Sequence, residues 1–125
     1  MPTIADYIVI RDGPFELTGS NPWSSGNISI PNDLVPGTIT AKAVLQYKVR
    51  PTASPPFAPS AEIEVRVNGR SVETIRLSTD TVHGLWEVFP ATILNADSAA
   101  NFVEFRAESG FARISDVILW FQRDI

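Results

Sequence analysis

Ile39-Thr40-Ala41-Lys42-Ala43-Val44-Leu45-Gln46-Tyr47-Lys48-Val49-Arg50 decides the fold. Ile39, Ala41, Ala43, Leu45, Tyr47 and Val49 fall on one side of an extended chain. Thr40, Lys42, Gln46, Lys48 and Arg50 fall on the other, and only Val44 breaks the alternation. Side chains of a strand point to opposite faces with period two, so this segment reads as a long strand with one dry and one wet face. Its length exceeds the usual five or six residues, which suits a sandwich.

The same period recurs on both sides of it. In Ala61 to Val67, Ile63, Val65 and Val67 point inward while Glu62, Glu64 and Arg66 point outward. Asn68-Gly69 follows, the dipeptide suited to a type I′ hairpin because both central residues need positive φ. The return strand runs from Ser71 to Leu77. Val72 cannot share a face with Ile75 and Leu77 under strict alternation, so a bulge is expected near Glu73-Thr74. Val82 to Phe89 is a strand ended by Pro90, with one helical turn expected over Ala91–Leu94. Asn101 to Glu108 turns at Ser109-Gly110 into Ala112 to Arg123, whose run Val117 to Phe121 is apolar on both faces, as a central or covered strand requires. Upstream, Thr3 to Ile10 precedes an Arg11–Pro14 turn, and Phe15–Leu17 and Asn27–Ile30 are short strand candidates. Pro51 to Pro59 reads as a long loop. About eight strands with turns every 8–12 residues predict an all-β fold, an antiparallel β-sandwich of jelly-roll topology, in a single domain over 1–125.

Composition removes whole classes of chemistry. The chain has 125 residues, no cysteine and one histidine, so thiol catalysis, disulfide frameworks and Cys- or His-rich metal sites are excluded. A net charge of −4 with two lysines argues against nucleic acid. No segment approaches the roughly 20 apolar residues of a membrane helix, and the N-terminus lacks a signal-peptide pattern, so a soluble chain of unassigned compartment is expected. His83 has no adjacent nucleophile, and no GxSxG, Walker, HExxH or GxGxxG motif is present. Glu62 with Glu64, and Glu104 with Glu108, share strand faces as the two acids of a glycosidase would. The interleaved Arg66 and Arg106 favour a solvated sheet face, and no enzymatic activity is expected. No organic cofactor is implied. Structural calcium is the one ion the turns could hold, through Asp12 and Asp116 or Asp124.

The aromatic residues carry the binding chemistry. Trp23 lies in a Gly/Ser/Asn loop where no core periodicity accounts for it. It either stacks on a sugar ring, with Asn21, Ser24, Ser25 and Asn27 reaching the hydroxyls, or folds back to plug the end of the sandwich. Trp86 shares a face with Val88, opposite Leu85 and Phe89. Trp120 shares one with Ile118, opposite Val117, Leu119 and Phe121. Ile118 and Trp120 then form an outer apolar patch, the mark of a ligand cleft or a subunit interface. Trp86, Arg106 and Trp120 make a second candidate site on a sheet face.

Glu64-Val65-Arg66-Val67-Asn68-Gly69-Arg70, then Leu85-Trp86-Glu87-Val88-Phe89-Pro90, Asn101-Phe102-Val103-Glu104-Phe105-Arg106 and Ile114-Ser115-Asp116-Val117-Ile118-Leu119 together resemble the jelly-roll modules of the galactose-binding-like class. The resemblance spans about residues 39–125 as a pattern of hairpin and alternating strands. It implies a carbohydrate-binding or adhesive role, exercised through loops at one end of the sandwich or through aromatics on a sheet face. The leading expectation is therefore a non-catalytic, lectin-like carbohydrate-binding module. The alternative is a structural or assembly subunit, a homo-oligomer included, making protein contacts through the Ile118–Trp120 patch and the Pro51–Pro59 loop.

Overall fold

A computed structural model describes residues 3–18, 22–30, 42–52, 60–79, 81–95 and 100–124. Eight strands occur among them: β1 (Thr3–Arg11), β2 (Phe15–Leu17), β3 (Trp23–Ser24), β4 (Lys42–Thr52), β5 (Ala61–Val67), β6 (Arg70–Leu77), β7 (His83–Pro90) and β8 (Val103–Asp124). The described residues contain no α-helix; one 3₁₀ turn, Ala91–Ile93, lies where a single turn was expected. All pairings are antiparallel, in the order β6-β5-β8-β4-β7, with β1, β2 and β3 along the second edge of β8.

The decisive strand behaves as read. Ala43, Leu45, Tyr47 and Val49 are buried, whereas Lys42, Lys48 and Arg50 are exposed. The strand runs on through Pro51 and Thr52, which the sequence placed in the loop. Pro51 is tolerated because β4's ladder with β7 ends at the Val49–His83 pair, so the missing N–H is not needed there. The rest of that loop lies outside the described residues, as do Ile39 to Ala41.

Asn68 and Gly69 both have positive φ, 51° and 78°, as a type I′ turn demands. The bulge in the hairpin falls one residue before its expected place: Val65 faces Glu73 and Arg66 faces Ser71, leaving Val72 as the extra residue. That insertion lets Val72, Ile75 and Leu77 all pack against the core.

The largest departure is at Ser109-Gly110. The sequence predicts a reversal there, but β8 continues for 22 residues. Its first part pairs with β5 and β3, and its second part pairs with β4, β2 and β1. Gly110 bends the strand without reversing it. Its φ is +75°, and an added Cβ would collide with the Ser60 carbonyl. The bulge at Glu108, between the Glu62–Ser109 and Ile63–Ala107 pairs, adds to the bend. A second irregularity, with Asp116 at φ 52°, separates the Gln46–Ile118 and Lys48–Ser115 pairs. β8 thus passes from one ladder to the other, and the sheet curls.

The inner faces of both ladders share one core. Leu45, Tyr47, Leu119 and Ile114 from one ladder join Ile63, Val65, Val103 and Phe105 from the other. Tyr47 meets Phe105 edge-on, with centroids 5.1 Å apart. Ile28 and Ile30 are buried too, although Asn27–Ile30 forms no strand beyond an isolated bridge at Ile30.

At one end, buried Asn101, half-buried Asn68 and exposed Asn95 form a hydrogen-bonded cluster. Asn101 is buried, accepts from the Asn95 backbone N–H and from Asn68 Nδ2, and donates to the Asn95 carbonyl. Asn68 also donates to the Ile93 carbonyl and accepts from the Phe102 N–H. Buried amides are retained when each has partners, and here they tie the hairpin turn to the start of β8.

Candidate aromatic sheet face

The two ladders differ on the sides turned away from the core. On the β3-β8-β5-β6 side the outward residues are charged. Glu62 pairs with Arg76 at 2.9 Å, Glu64 with Arg66 at 2.5 Å, and Glu104 with Arg106 at 3.4 Å. The carboxylates that the sequence offered as glycosidase pairs are thus engaged by arginines, except Glu108, which is exposed. Arg106 stands on this side, opposite Glu64 of β5, and is separate from Trp86 and Trp120.

The outward side of β1-β8-β4-β7 is aromatic and aliphatic. Register aligns two rows across its four strands. Tyr7, Trp120, Val44 and Val88 form the first, and Val9, Ile118, Gln46 and Trp86 form the second. Val44, the one residue that breaks the alternation of β4, sits at the centre of the first row. Tyr7 is 53% exposed, Val9 51%, Trp86 62% and Val88 61%. Trp120 is half-buried; it leans on Tyr7, with ring centroids 5.0 Å apart, and donates its Nε1–H to Gln46 Oε1 at 3.0 Å. Its polar edge is thereby satisfied, so the indole is fixed in orientation. Four strands at about 4.8 Å spacing make the face roughly 14 Å wide. A shallow groove of about 220 Å³ runs beside Trp120, lined by Ala5, Lys42, Val44, Phe121 and Gln122.

The sequence put Trp86 and Phe89 on opposite faces of β7. Phe89 is buried and Trp86 is out. Tyr7 and Val9 were not singled out, although period two in Tyr7-Ile8-Val9-Ile10 places them together on one face.

Trp23, offered by the sequence as either a sugar platform or an end plug, lies against other aromatic rings. It is half-buried, stacks on Phe15 at 4.2 Å and lies 6.0 Å from Phe105 in the core. Ser25 binds β8 through its backbone N–H to the Val103 carbonyl, and its Oγ accepts from the Val103 N–H. Asn27 is exposed and borders a separate open groove with Ile8 and Ile10. Asn21 lies outside the described residues.

Among the described residues, Tyr47 and Glu87 form a buried titratable pair. Tyr47 donates its hydroxyl proton to Glu87 Oε1 at 2.9 Å. Burial pushes Tyr47 well above the usual phenol range, with the Glu87 charge adding to the effect. Burial also raises Glu87; the Tyr47 hydrogen bond opposes this rise, and Glu73 of β6 adds to it. No sequence signal marked Glu87, which shares the inward face of β7 with Leu85 and Phe89.

His83 Nε2 lies 3.1 Å from Thr79 Oγ1 and 3.3 Å from Thr81 Oγ1. Asp116 pairs with Lys48 at 3.4 Å, Asp12 is exposed in a turn, and no group of three or more His, Asp or Glu side chains gathers among the described residues. None of their helices is long and apolar enough to cross a membrane.

No family model and no curated protein matches the chain. Solved structures do, at the level of fold. Dimeric latent PorU from Porphyromonas gingivalis superposes with a TM-score of 0.57 at 12% identity, over 98% of this chain and 12% of that one. The CBM36-1 domain of a multidomain xylanase from the hindgut metagenome of Trinervitermes trinervoides gives 0.52 at 9%, over 98% of this chain and 100% of that one. The CBM22-1 and GH10 modules of Clostridium thermocellum endo-1,4-beta-D-xylanase 10B, complexed with xylohexaose, give 0.51 at 6%, over 91% of this chain and 28% of that one. In fold, the chain resembles carbohydrate-binding modules. It spans only about an eighth of PorU.

Proposed function

We propose that this chain is a non-catalytic carbohydrate-binding module, a jelly-roll β-sandwich that holds a polysaccharide against the outer face of β1-β8-β4-β7. The observation that carries the reading is the pair of aligned rows containing Tyr7, Trp120 and Trp86. Indole and phenol faces stack on the C–H groups of a pyranose. The Gln46 and Gln122 amides lie close enough to meet hydroxyls, and a rigid sheet holds the rings in place without an ordering cost. The fold likeness to carbohydrate-binding modules supports the same reading, and on the opposite face Glu62, Glu64 and Glu104 are each engaged by an arginine.

Affinity electrophoresis through gels containing neutral polysaccharides tests it. Wild type is retarded by at least one of them, and Trp86→Ala and Trp120→Ala each lose most of that retardation while keeping the wild-type melting transition. Retardation unaffected by either substitution contradicts the proposal.

The exposure of Trp86, Val88, Tyr7 and Val9 also favours a second reading, in which a second copy of the chain covers the face. Sedimentation equilibrium separates the two. A monomer throughout the working concentration range removes the assembly reading.

A further inference from the structure

Lys42 stands at one end of the aromatic face. It begins β4, faces Pro90 of β7 in the register, and borders the groove beside Trp120 together with Gln122. Its surroundings differ from those of the other cations near this face. Lys48 is answered by Asp116 at 3.4 Å and Arg113 by Glu16 at 2.6 Å. Arg11 donates to the Gly13 and Pro14 carbonyls. Among the described residues no carboxylate approaches Lys42 within ion-pair distance, although acids outnumber bases, fourteen to ten. The floor of the groove is apolar, made by Val44, Ala5 and the Trp120 ring.

The geometry points to an acidic sugar as the occupant of this groove: we infer that the polysaccharide carries uronate residues, one ring lying on Trp120 with its carboxylate directed at the Lys42 ammonium. This rests on the carbohydrate reading above and adds the substrate class to it. Stacking on the indole is indifferent to the carboxylate, so it supplies affinity for neutral and acidic rings alike. Lys42 supplies the discrimination, because it gains an anion without giving up a protein partner. A neutral sugar leaves the ammonium to water, at little cost, so the site prefers acidic polymers without rejecting neutral ones.

The test compares glucuronoxylan, homogalacturonan and alginate, each with its carboxyl-reduced derivative, by titration calorimetry against wild type, Lys42→Gln and Trp120→Ala. Wild type binds at least one acidic polymer about two- to fivefold more tightly than its reduced form, as an exposed charge contact allows, and added salt shrinks the difference. Lys42→Gln equalises the two affinities, and Trp120→Ala weakens both. Equal wild-type affinities for acidic and reduced polymers overturn this inference and leave the carbohydrate reading intact, as does a preference that survives in Lys42→Gln. Absence of binding to every polymer, acidic or reduced, overturns both.

Discussion

The two outer surfaces of this protein are built from the same strand. The first part of β8 turns Glu104 and Arg106 outward, paired with each other, beside the Glu64–Arg66 pair of β5 and the Glu62–Arg76 pair between β5 and β6. The second part turns Ile118 and Trp120 outward into an apolar, aromatic face. Exposed ion pairs cost little to hydrate and contribute little to stability, so the charged face is what an unoccupied protein surface looks like. Exposed indole and valine rows gain nothing from water, and gathered on one face they are what a binding or contact surface looks like. Gly110 is the place where one surface gives way to the other.

Substitution at that junction is expected to have the largest effect. Gly110→Ala must take a positive φ and push against the Ser60 carbonyl, so a loss of about 2–4 kcal/mol in urea unfolding is expected. A loss under about 0.5 kcal/mol would show that β8 does not bend as described. Next come the aromatic rows. Replacing Trp86 and Trp120 together by alanine should weaken polysaccharide binding by at least about thirtyfold, near 2 kcal/mol, while Glu62→Gln and Arg106→Gln on the charged face leave it unaltered. Equal losses from both sets would erase the contrast between the faces.

The buried pair beneath the aromatic face gives a smaller, pH-dependent effect. Glu87 has a folded-state pKa raised above its ordinary 4.5, so its contribution is complete below that value and is lost as pH rises through the folded value. Wild type should therefore lose stability relative to Glu87→Gln between mildly acidic and neutral pH, with the variant the more stable at pH 7. Parallel stability curves for the two proteins would contradict the assignment. Smallest of all, Arg76→Gln removes the exposed pair with Glu62 and should cost under about 1 kcal/mol, an effect that vanishes in high salt.

Period two made most of this legible in the sequence. The inward set of β4, all of β5 and the Asn68-Gly69 turn follow from alternation and from backbone chemistry that few other residues can satisfy. What escaped depended on distance in space. Ser109-Gly110 has the composition of a reversal. Whether a glycine with positive φ reverses a strand or only bends it depends on the strands beside it, here β5 and β4. The sheet face was half visible. Trp86 and Trp120 were each placed beside apolar neighbours, but only the registers of β1 and β7 against β8 and β4 bring Tyr7 and Trp86 into one surface and leave Arg106 on the other. Trp23 had no period to place it; it meets Phe15 across the intervening loop and Phe105 from far along the chain. Glu87 and the Asn68–Asn95–Asn101 cluster are polar groups satisfied by remote partners, and local pattern carries no trace of such pairing.

The most direct test is to follow tryptophan fluorescence while titrating a bound polysaccharide into Trp23→Phe, Trp86→Phe and Trp120→Phe. The aromatic-face account predicts that the ligand-induced change persists in full in Trp23→Phe and is reduced in each of the other two. A change that disappears with Trp23 and survives both of the others would place the ligand at the end of the fold and contradict it.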